Sequence, residues 1–263
     1  MALSSSRTAF TLVEVAIVLA VIGLLVGGVM AGSTLIRNAE LRSVTTEYNQ
    51  FLTSMQSFQN KYNATPGDMR RATFYWGRQV GSGECVTNTG AGVGSPGTCD
   101  GDGNGRLDFS SAANRTGEMF QFWRQLSLAG LIQGNYTGLA GSASALHPII
   151  GTNVPGSRIK NAGWGVVYLG DYGGDGNAFA SSYGNNINFG TVLENSWLLG
   201  AILTPVEVAK IDQKLDDGRP ATGIIMPYYW SPCTLATSAT DINAEYRLTN
   251  NAIACGMYFV NIF

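Results

Sequence analysis

The chain has 263 residues, of which 45% are apolar and only 13% are charged, and its formal net charge is −2. This length fits one domain with an accessory element, and the weak negative charge supplies no basic field for a phosphate backbone, which argues against nucleic acid as a partner. A single histidine, His147, excludes metal sites built from several imidazoles, and 34 glycines with few charges predict a surface partly covered by membrane or by other subunits.

The N-terminal region contains an apolar segment that predicts a membrane-spanning helix. From Phe10 to Ile36 the only ionisable side chain is Glu14, and residues 15–30 are all apolar or glycine. At 1.5 Å per residue this segment makes a helix of about 40 Å, which exceeds the ~30 Å hydrocarbon core of a bilayer. A secretory signal cleaved after Met30 is the alternative, but the run is longer than a usual signal core and carries a carboxylate near its start.

Glu14 is the most informative residue of this segment. A charge within an apolar segment costs about 2.5–3.5 kcal/mol even on the most lenient insertion scale, so it normally has a partner. The segment contains no Lys or Arg, but cleavage between Ala9 and Phe10 would create a free α-amino group four residues from Glu14. The alternative role is a carboxylate at the helix start, near the membrane face, stabilised by the helix dipole.

The residues around Glu14 carry a family signature. Residues 7–14, RTAFTLVE, and the apolar run behind them resemble the N-terminus of type IV pilins and type II secretion pseudopilins. The resemblance implies that prepilin peptidase cleaves between Ala9 and Phe10, that Phe10 becomes N-methylated, and that Glu14 neutralises the terminal amine of a neighbouring subunit. Ala9 replaces the family's usual glycine, which predicts slower processing, and the helix proline of many major pilins is absent near Ala31.

Beyond Ile36 the pattern changes from uniformly apolar to amphipathic. Apolar residues recur at alternating spacings of three and four, which predicts that the same helix continues with one buried face. Residues 63–67, NATPG, predict its end. We therefore expect an α+β protein with a leader at 1–9, a transmembrane or filament-core helix at 10–36, an amphipathic continuation at 37–62 and a globular head with an antiparallel sheet at 63–263. The apolar positions are Leu41, Val44, Tyr48, Phe51, Met55, Phe58 and Tyr62.

The glycine-rich middle of the chain contains a candidate calcium loop, DGDGNGRLD, at residues 100–108. Oxygen-bearing side chains stand at positions 1, 3, 5 and 9, with glycine at position 6 and a backbone carbonyl expected at position 7, which is the calcium-loop spacing. Position 12 is Ser111 in place of glutamate, so we expect a ligand from elsewhere and weaker affinity. The alternative is a solvated turn. The predicted Ca²⁺ ligands are Asp100, Asp102, Asn104, Arg106 through its carbonyl, and Asp108.

Four cysteines predict two disulfides in an oxidising compartment, and no CxxC spacing points to zinc or redox chemistry. Three pairings are possible. The nearest-neighbour pairing joins Cys85 to Cys99 and Cys233 to Cys255. The first bond would hold the segment just before the candidate calcium loop, and the second would enclose the C-terminal region, as a disulfide does in many type IV pilins.

The rest of the head is predicted to mix helices and strands. A helix start is indicated by Thr204, Pro205 and Glu207, with an end near Asp216. Residues 203–218 weakly resemble segments of large, non-major pilin-like proteins. The other predicted elements are a helix over Glu118–Ile132 and strands over Trp164–Leu169, Asn188–Leu193, Met226–Trp230 and Met257–Phe263.

No catalytic constellation is recognisable, since His147 precedes a proline and no G-x-S-x-G motif accompanies it. We therefore predict a non-enzymatic subunit, minor or pilin-like, of a type IV pilus or related filament. It would cross the bacterial inner membrane once, with its head in the periplasm, and then join an extracellular pilus or periplasmic pseudopilus. Its partners would be prepilin peptidase and other subunits. A type II secretion pseudopilin and, from another class, a membrane-anchored binding or adhesion protein are the alternatives.

Overall fold

The computed structural model describes residues 11–79, 85, 97–109, 117–193 and 195–263. The protein is α+β, as predicted, with a long N-terminal helix and a head that contains a four-stranded antiparallel sheet. The helices are α1 (Leu12–Tyr62), α2 (Ala72–Trp76), α3 (Glu118–Leu128), α4 (Pro205–Leu215) and α5 (Trp230–Cys233), and the strands are β1 (Gly163–Tyr172), β2 (Ser181–Gly190), β3 (Ile225–Tyr228) and β4 (Gly256–Phe259).

The chain divides into two compact units, Met1–Arg42 and Ser43–Phe263, and the boundary between them lies within α1. The last turns of α1 belong to the second unit, to which they contribute buried residues. The helix also contains a segment that is long and apolar enough to cross a membrane, and none of that segment is buried in the protein.

The predicted stripe on α1 forms part of the head's core. Val44, Tyr48, Phe51, Met55 and Phe58 are all buried. The ring of Tyr48 stacks at 4.1 Å on Phe259 of β4, and Phe51 meets Trp164 of β1 edge-on at 5.6 Å. This half of α1 therefore packs against the sheet through one face, as its alternating spacing indicates.

The sheet has the strand order β1-β2-β4-β3, and every neighbouring pair is antiparallel. The outer strands are β1 and β3. The pairing of β1 with β2 shifts register around Gly170, which has φ of 61°, and β3 carries Pro227 opposite Met257. Both outer strands are thus irregular or short.

Several element bounds differ from the predicted ones. β2 begins at Ser181, seven residues before the predicted start at Asn188, and α3 ends at Leu128 because Gly130 takes a left-handed conformation with φ of 72°. β3 stops at Tyr228 because Tyr229 is left-handed and precedes α5. α4 begins as predicted, since Thr204 and Glu207 form a complete capping box. The remaining predicted strands overlap β1 and β4.

Candidate functional site

The start of α1 is closed by a reciprocal pair of hydrogen bonds. The Thr11 backbone N–H donates to Glu14 Oε2 at 2.8 Å, and the Glu14 N–H donates to Thr11 Oγ1 at 3.2 Å. This is a capping box, which satisfies two N–H groups that the helix leaves unpaired. Glu14 therefore has a local role at the helix start, and its side chain is solvent-exposed. Ala9 and Phe10 lie outside the described residues.

The first half of α1 exposes a continuous apolar surface. Every large apolar side chain between Leu12 and Ile36 is at least 48% exposed. Soluble monomers rarely expose apolar patches larger than a few hundred Å², and this segment is long and apolar enough to cross a membrane. Glu14 is the only carboxylate on this surface before residue 37.

The candidate calcium loop does not gather all of its predicted ligands. Asp100 turns toward α2, where its carboxylate accepts hydrogen bonds from the Thr73 N–H at 2.8 Å and the Thr73 hydroxyl at 3.0 Å. The α2 helix has no capping side chain of its own, so Asp100 supplies that contact from outside. The loop is thereby fixed to the first turn of α2.

The other predicted ligands meet through Asn104. Its Nδ2 donates to Asp102 at 2.9 Å and to Asp108 at 3.1 Å, so three of the side chains predicted to bind metal lie together. The guanidinium of Arg106 lies over the ring of Tyr168, 4.8 Å from its centroid. The Arg106 side chain therefore contacts Tyr168, and the role of its backbone carbonyl as a metal ligand stays a prediction.

The sheet holds the end of the loop in place. Leu107 is fully buried, and its N–H donates to the side-chain oxygen of Asn185 at 2.9 Å. The amide of Asn185 in turn donates to the Gly105 carbonyl at 2.8 Å. The Tyr168 N–H donates to the Leu107 carbonyl at 2.9 Å. β1 and β2 therefore fix the backbone on which Asp102, Asn104 and Asp108 stand.

Two carboxylates that the spacing did not predict complete this site. Glu118, the first residue of α3, accepts from the N–H groups of Asp102 and Asp108, both at 3.0 Å. Asp68, in the turn after α1, accepts from the N–H groups of Gly103 and Gly105. Oxygens of Asp68, Asp102 and Glu118 lie within 4.8 Å of one another.

The environment that these carboxylates share raises the pKa of two of them. Burial, assisted by the charges of Asp68 and Asp102, raises the pKa of Glu118 to about 8. Burial also raises the pKa of Asp68. Three carboxylates around one point repel one another when ionised, and a hard divalent cation that prefers oxygen ligands would relieve that repulsion.

A sequence signal exists for Glu118 but not for Asp68. Ser111, at position 12 of the calcium-loop spacing, lies outside the described residues. Glu118 is an acid at the start of the next predicted helix, and this position is a sequence signal for a candidate ligand. Asp68 lies 32 residues before Asp100, and only the folded head brings it to the loop.

The disulfides follow the nearest-neighbour pairing. Cys85 is bonded to Cys99, and Cys233 is bonded to Cys255. The first bond joins residue 85 to the strand of backbone that enters the candidate calcium loop. The second closes the C-terminal region, whose Tyr246 hydroxyl donates to the buried Asp212 of α4 at 2.6 Å.

His147 has a structural role in its loop, where its Nδ1 accepts a hydrogen bond from the Ala143 N–H at 3.3 Å. Comparisons with protein-family models, with curated proteins and with solved structures give no match.

Proposed function

We propose that this chain is a structural subunit, minor or pilin-like, of a type IV pilus or related helical filament. The observation that carries the proposal is the apolar half of α1. Its large apolar side chains are exposed along its length, and its single carboxylate, Glu14, stands at its start, four residues after the end of the RTAF motif. The head is built on the second half of the same helix. In a filament it would therefore remain outside the apolar core that the first halves of the packed helices form.

The assembly step follows from the chemistry of the cleaved terminus. Prepilin peptidase would remove residues 1–9 and expose the amine of Phe10. In an apolar surrounding, this amine and the Glu14 carboxylate of a neighbouring subunit attract each other more strongly than in water, and neither charge is then left unpaired. Their pairing sets the axial register of packed helices, while the heads coat the outside.

The test is the mass and N-terminal sequence of the mature protein from cells. Removal of nine residues from 263 leaves a chain of 254 that begins with methylated Phe10. A chain that still starts at Met1, or one cut after the apolar run, would overturn the proposal and favour the membrane-anchored or secreted binding protein. Recovery in sheared surface fibres, as opposed to the periplasm, separates a pilus subunit from a secretion pseudopilin.

We further propose that the head binds Ca²⁺ at the loop of residues 100–108. Asp68, Asp102 and Glu118 would supply carboxylate oxygens, and Asn104 lies beside Asp102. Burial and, to a smaller extent, the charges of Asp68 and Asp102 raise the pKa of Glu118 to about 8, and a bound cation would favour its ionised form, so binding near pH 7 would release protons. Calcium is abundant outside the cytoplasm, where the head would reside.

This proposal is tested on the full chain in detergent. We expect Ca²⁺ to raise the unfolding temperature, with a gain of about 2.7 kcal/mol at 100 times the dissociation constant. The heat of binding should also differ between buffers of different ionisation enthalpy, because protons are released. Glu118→Gln should abolish both effects, whereas Glu207→Gln, another first-turn helix carboxylate, should preserve them. Unchanged binding in Glu118→Gln would contradict the assigned ligand.

A further inference from the structure

The exposed turn of the loop at residues 100–108 contains an asparagine that is followed by a glycine. Asn104-Gly105 is the only Asn-Gly pair in the sequence, and both residues are exposed. Gly105 has φ of 82°, and the space where a side chain would stand is open. In such a pair the glycine nitrogen can attack the asparagine side chain and close a five-membered ring, since no glycine side chain obstructs the approach. The contacts around the pair therefore decide whether the fold promotes this reaction.

The side chain of Asn104 is folded back over its own backbone. Its Oδ1 accepts a hydrogen bond from the Arg106 N–H at 2.7 Å, which closes a turn across Gly105. The turn keeps the side-chain carbonyl beside the peptide bond that joins Asn104 to Gly105, as an intramolecular reaction requires. The Arg106 N–H is also a donor at the oxygen on which negative charge develops when this carbonyl is attacked.

A carboxylate contacts the proton that the attacking nitrogen must lose. The Gly105 N–H donates to Asp68 Oδ2 at 2.8 Å. The other carboxylate oxygen of Asp68 accepts from the Gly103 N–H, and the residue is only 4% exposed, so its position is fixed. A general base must lie within hydrogen-bond reach of the proton that it takes, and Asp68 meets this condition.

Two further carboxylates hold the nitrogen that would leave. Asn104 Nδ2 donates to Asp102 at 2.9 Å and to Asp108 at 3.1 Å. Carboxylates only accept hydrogen bonds, so they fix the amide with its nitrogen towards them and its oxygen towards Arg106. The nucleophile, the carbonyl and the leaving group thus each have a partner suited to the reaction.

We propose that Asn104 is a site of spontaneous deamidation that the fold promotes. The Gly105 nitrogen forms a bond to Cγ of Asn104 while its proton passes to Asp68. The bond from Cγ to Nδ2 then breaks, and ammonia leaves with that proton. Water opens the resulting succinimide ring at one carbonyl to give aspartate, or at the other to give isoaspartate. Overall one water molecule replaces one ammonia, and no oxidant or reductant is needed.

The product adds a negative charge to this loop. Its consequence for the cation rests on the calcium site proposed above: a further carboxylate at this loop position would strengthen Ca²⁺ binding, because Ca²⁺ prefers charged oxygen ligands. Bound Ca²⁺ would in turn slow the reaction, since a carboxylate that coordinates a cation is a weaker base.

The experiment incubates the purified full chain in detergent and heavy-oxygen water, without calcium, and follows tryptic peptide 79–106 by mass spectrometry. We expect the label to enter at Asn104 and not at Asn88, which a threonine follows in the same peptide. Conversion should be faster in the folded chain than in the chain unfolded by urea. Asp68→Asn should slow it about a hundredfold, as loss of a general base does. Asp171→Asn, which changes an exposed carboxyl elsewhere, should not slow it.

The outcomes separate this proposal from the calcium site. Conversion that is no faster in the folded chain than in urea, or equal rates in Asp68→Asn and Asp171→Asn, would overturn the deamidation site. Tryptophan fluorescence checks that both variants fold, and the comparison with urea needs only the unaltered chain. Added Ca²⁺ should slow the conversion. A rate that Ca²⁺ leaves unchanged would contradict the calcium ligands and leave the deamidation site in place.

Discussion

The two halves of α1 have the same secondary structure but different surfaces. Before residue 37 the large apolar side chains are exposed on all sides, whereas from Ser43 to Phe58 one stripe is buried and the opposite face is polar. Helix propensity is therefore not what separates them. The distribution of apolar residues around the axis determines whether a helix segment joins a protein core or needs an apolar environment from outside.

The largest expected effect comes from removing the one charge of the exposed half. Glu14→Val should leave membrane insertion intact but abolish filament incorporation, because an amine left unpaired in an apolar surrounding costs about 3–5 kcal/mol. Quantitative blotting of membrane and filament fractions measures both. Glu40→Gln, which removes a carboxylate paired with Arg37 on the same helix, is the matched control. Normal incorporation of the Glu14→Val protein would rule out the assembly mechanism.

Next in size is a truncation in the buried half. Phe51→Ala removes a ring that contacts both Trp123 and Trp164, so the head should lose about 3–5 kcal/mol of unfolding free energy. Leu24→Ala, at a position that is 79% exposed on the same helix, should leave the head's denaturation midpoint unchanged. Chemical denaturation followed by tryptophan fluorescence distinguishes them. Equal losses would mean that the two halves do not differ as described.

A pH titration should affect the head and not the exposed half. Burial raises the pKa of Asp212 from its ordinary value of 3.8 to about 7. The folded head therefore holds the Asp212 proton more tightly than the unfolded chain does. The contribution of this group to the stability of the head is complete below pH 3.8 and is lost as the pH rises through 7. Unfolding temperatures between pH 5 and pH 8, without calcium, measure the slope.

Two variants assign that slope to its source. Asp212→Asn should make it shallower, leaving the part that Glu118 contributes through its own raised pKa, whereas Asp171→Asn, which changes an exposed carboxyl, should not alter it. Membrane association through the exposed half should stay constant over the same range. An unaltered slope in Asp212→Asn would show that other groups dominate the pH dependence.

The smallest effect concerns the capping box of the exposed half. Thr11→Ala removes one of its two reciprocal bonds and should cost about 0.5–2 kcal/mol, seen as faster hydrogen exchange in the first turn of α1. Filament incorporation should persist. If Thr11→Ala blocked assembly as fully as Glu14→Val, the carboxylate would serve only the helix start, and pairing with a neighbour's amine would be excluded.

Local patterns predicted the parts of the fold that depend on local chemistry. The stripe from Val44 to Phe58 and the cap formed by Thr204 and Glu207 are both as expected, because helix periodicity and capping are encoded within a few residues. β2 was placed too late along the chain because Ser181–Asn186 is rich in serine, glycine and asparagine, which have low strand propensity. Its pairing with β1 and β4 overrides that preference.

The acidic residues around the loop at 100–108 show more clearly what local sequence patterns cannot predict. Spacing within residues 100–108 identified Asp102, Asn104 and Asp108, which the fold does bring together. It could not show that Asp100 would turn to Thr73, or that Asp68 would arrive from the turn after α1. Those outcomes depend on contacts between segments that are distant in sequence, which no local pattern contains.

The outer strands of the sheet affect how the heads would behave when many of them are crowded together. Heads attached to a fibre would face copies of themselves at very high local concentration, where a long, flat edge strand can recruit another chain into a continuous sheet. Here one edge bends at the register shift around Gly170, and the other is only four residues long and contains Pro227. Such edges resist intermolecular β-pairing, so crowded heads can remain individually folded and the fibre need not become an amyloid.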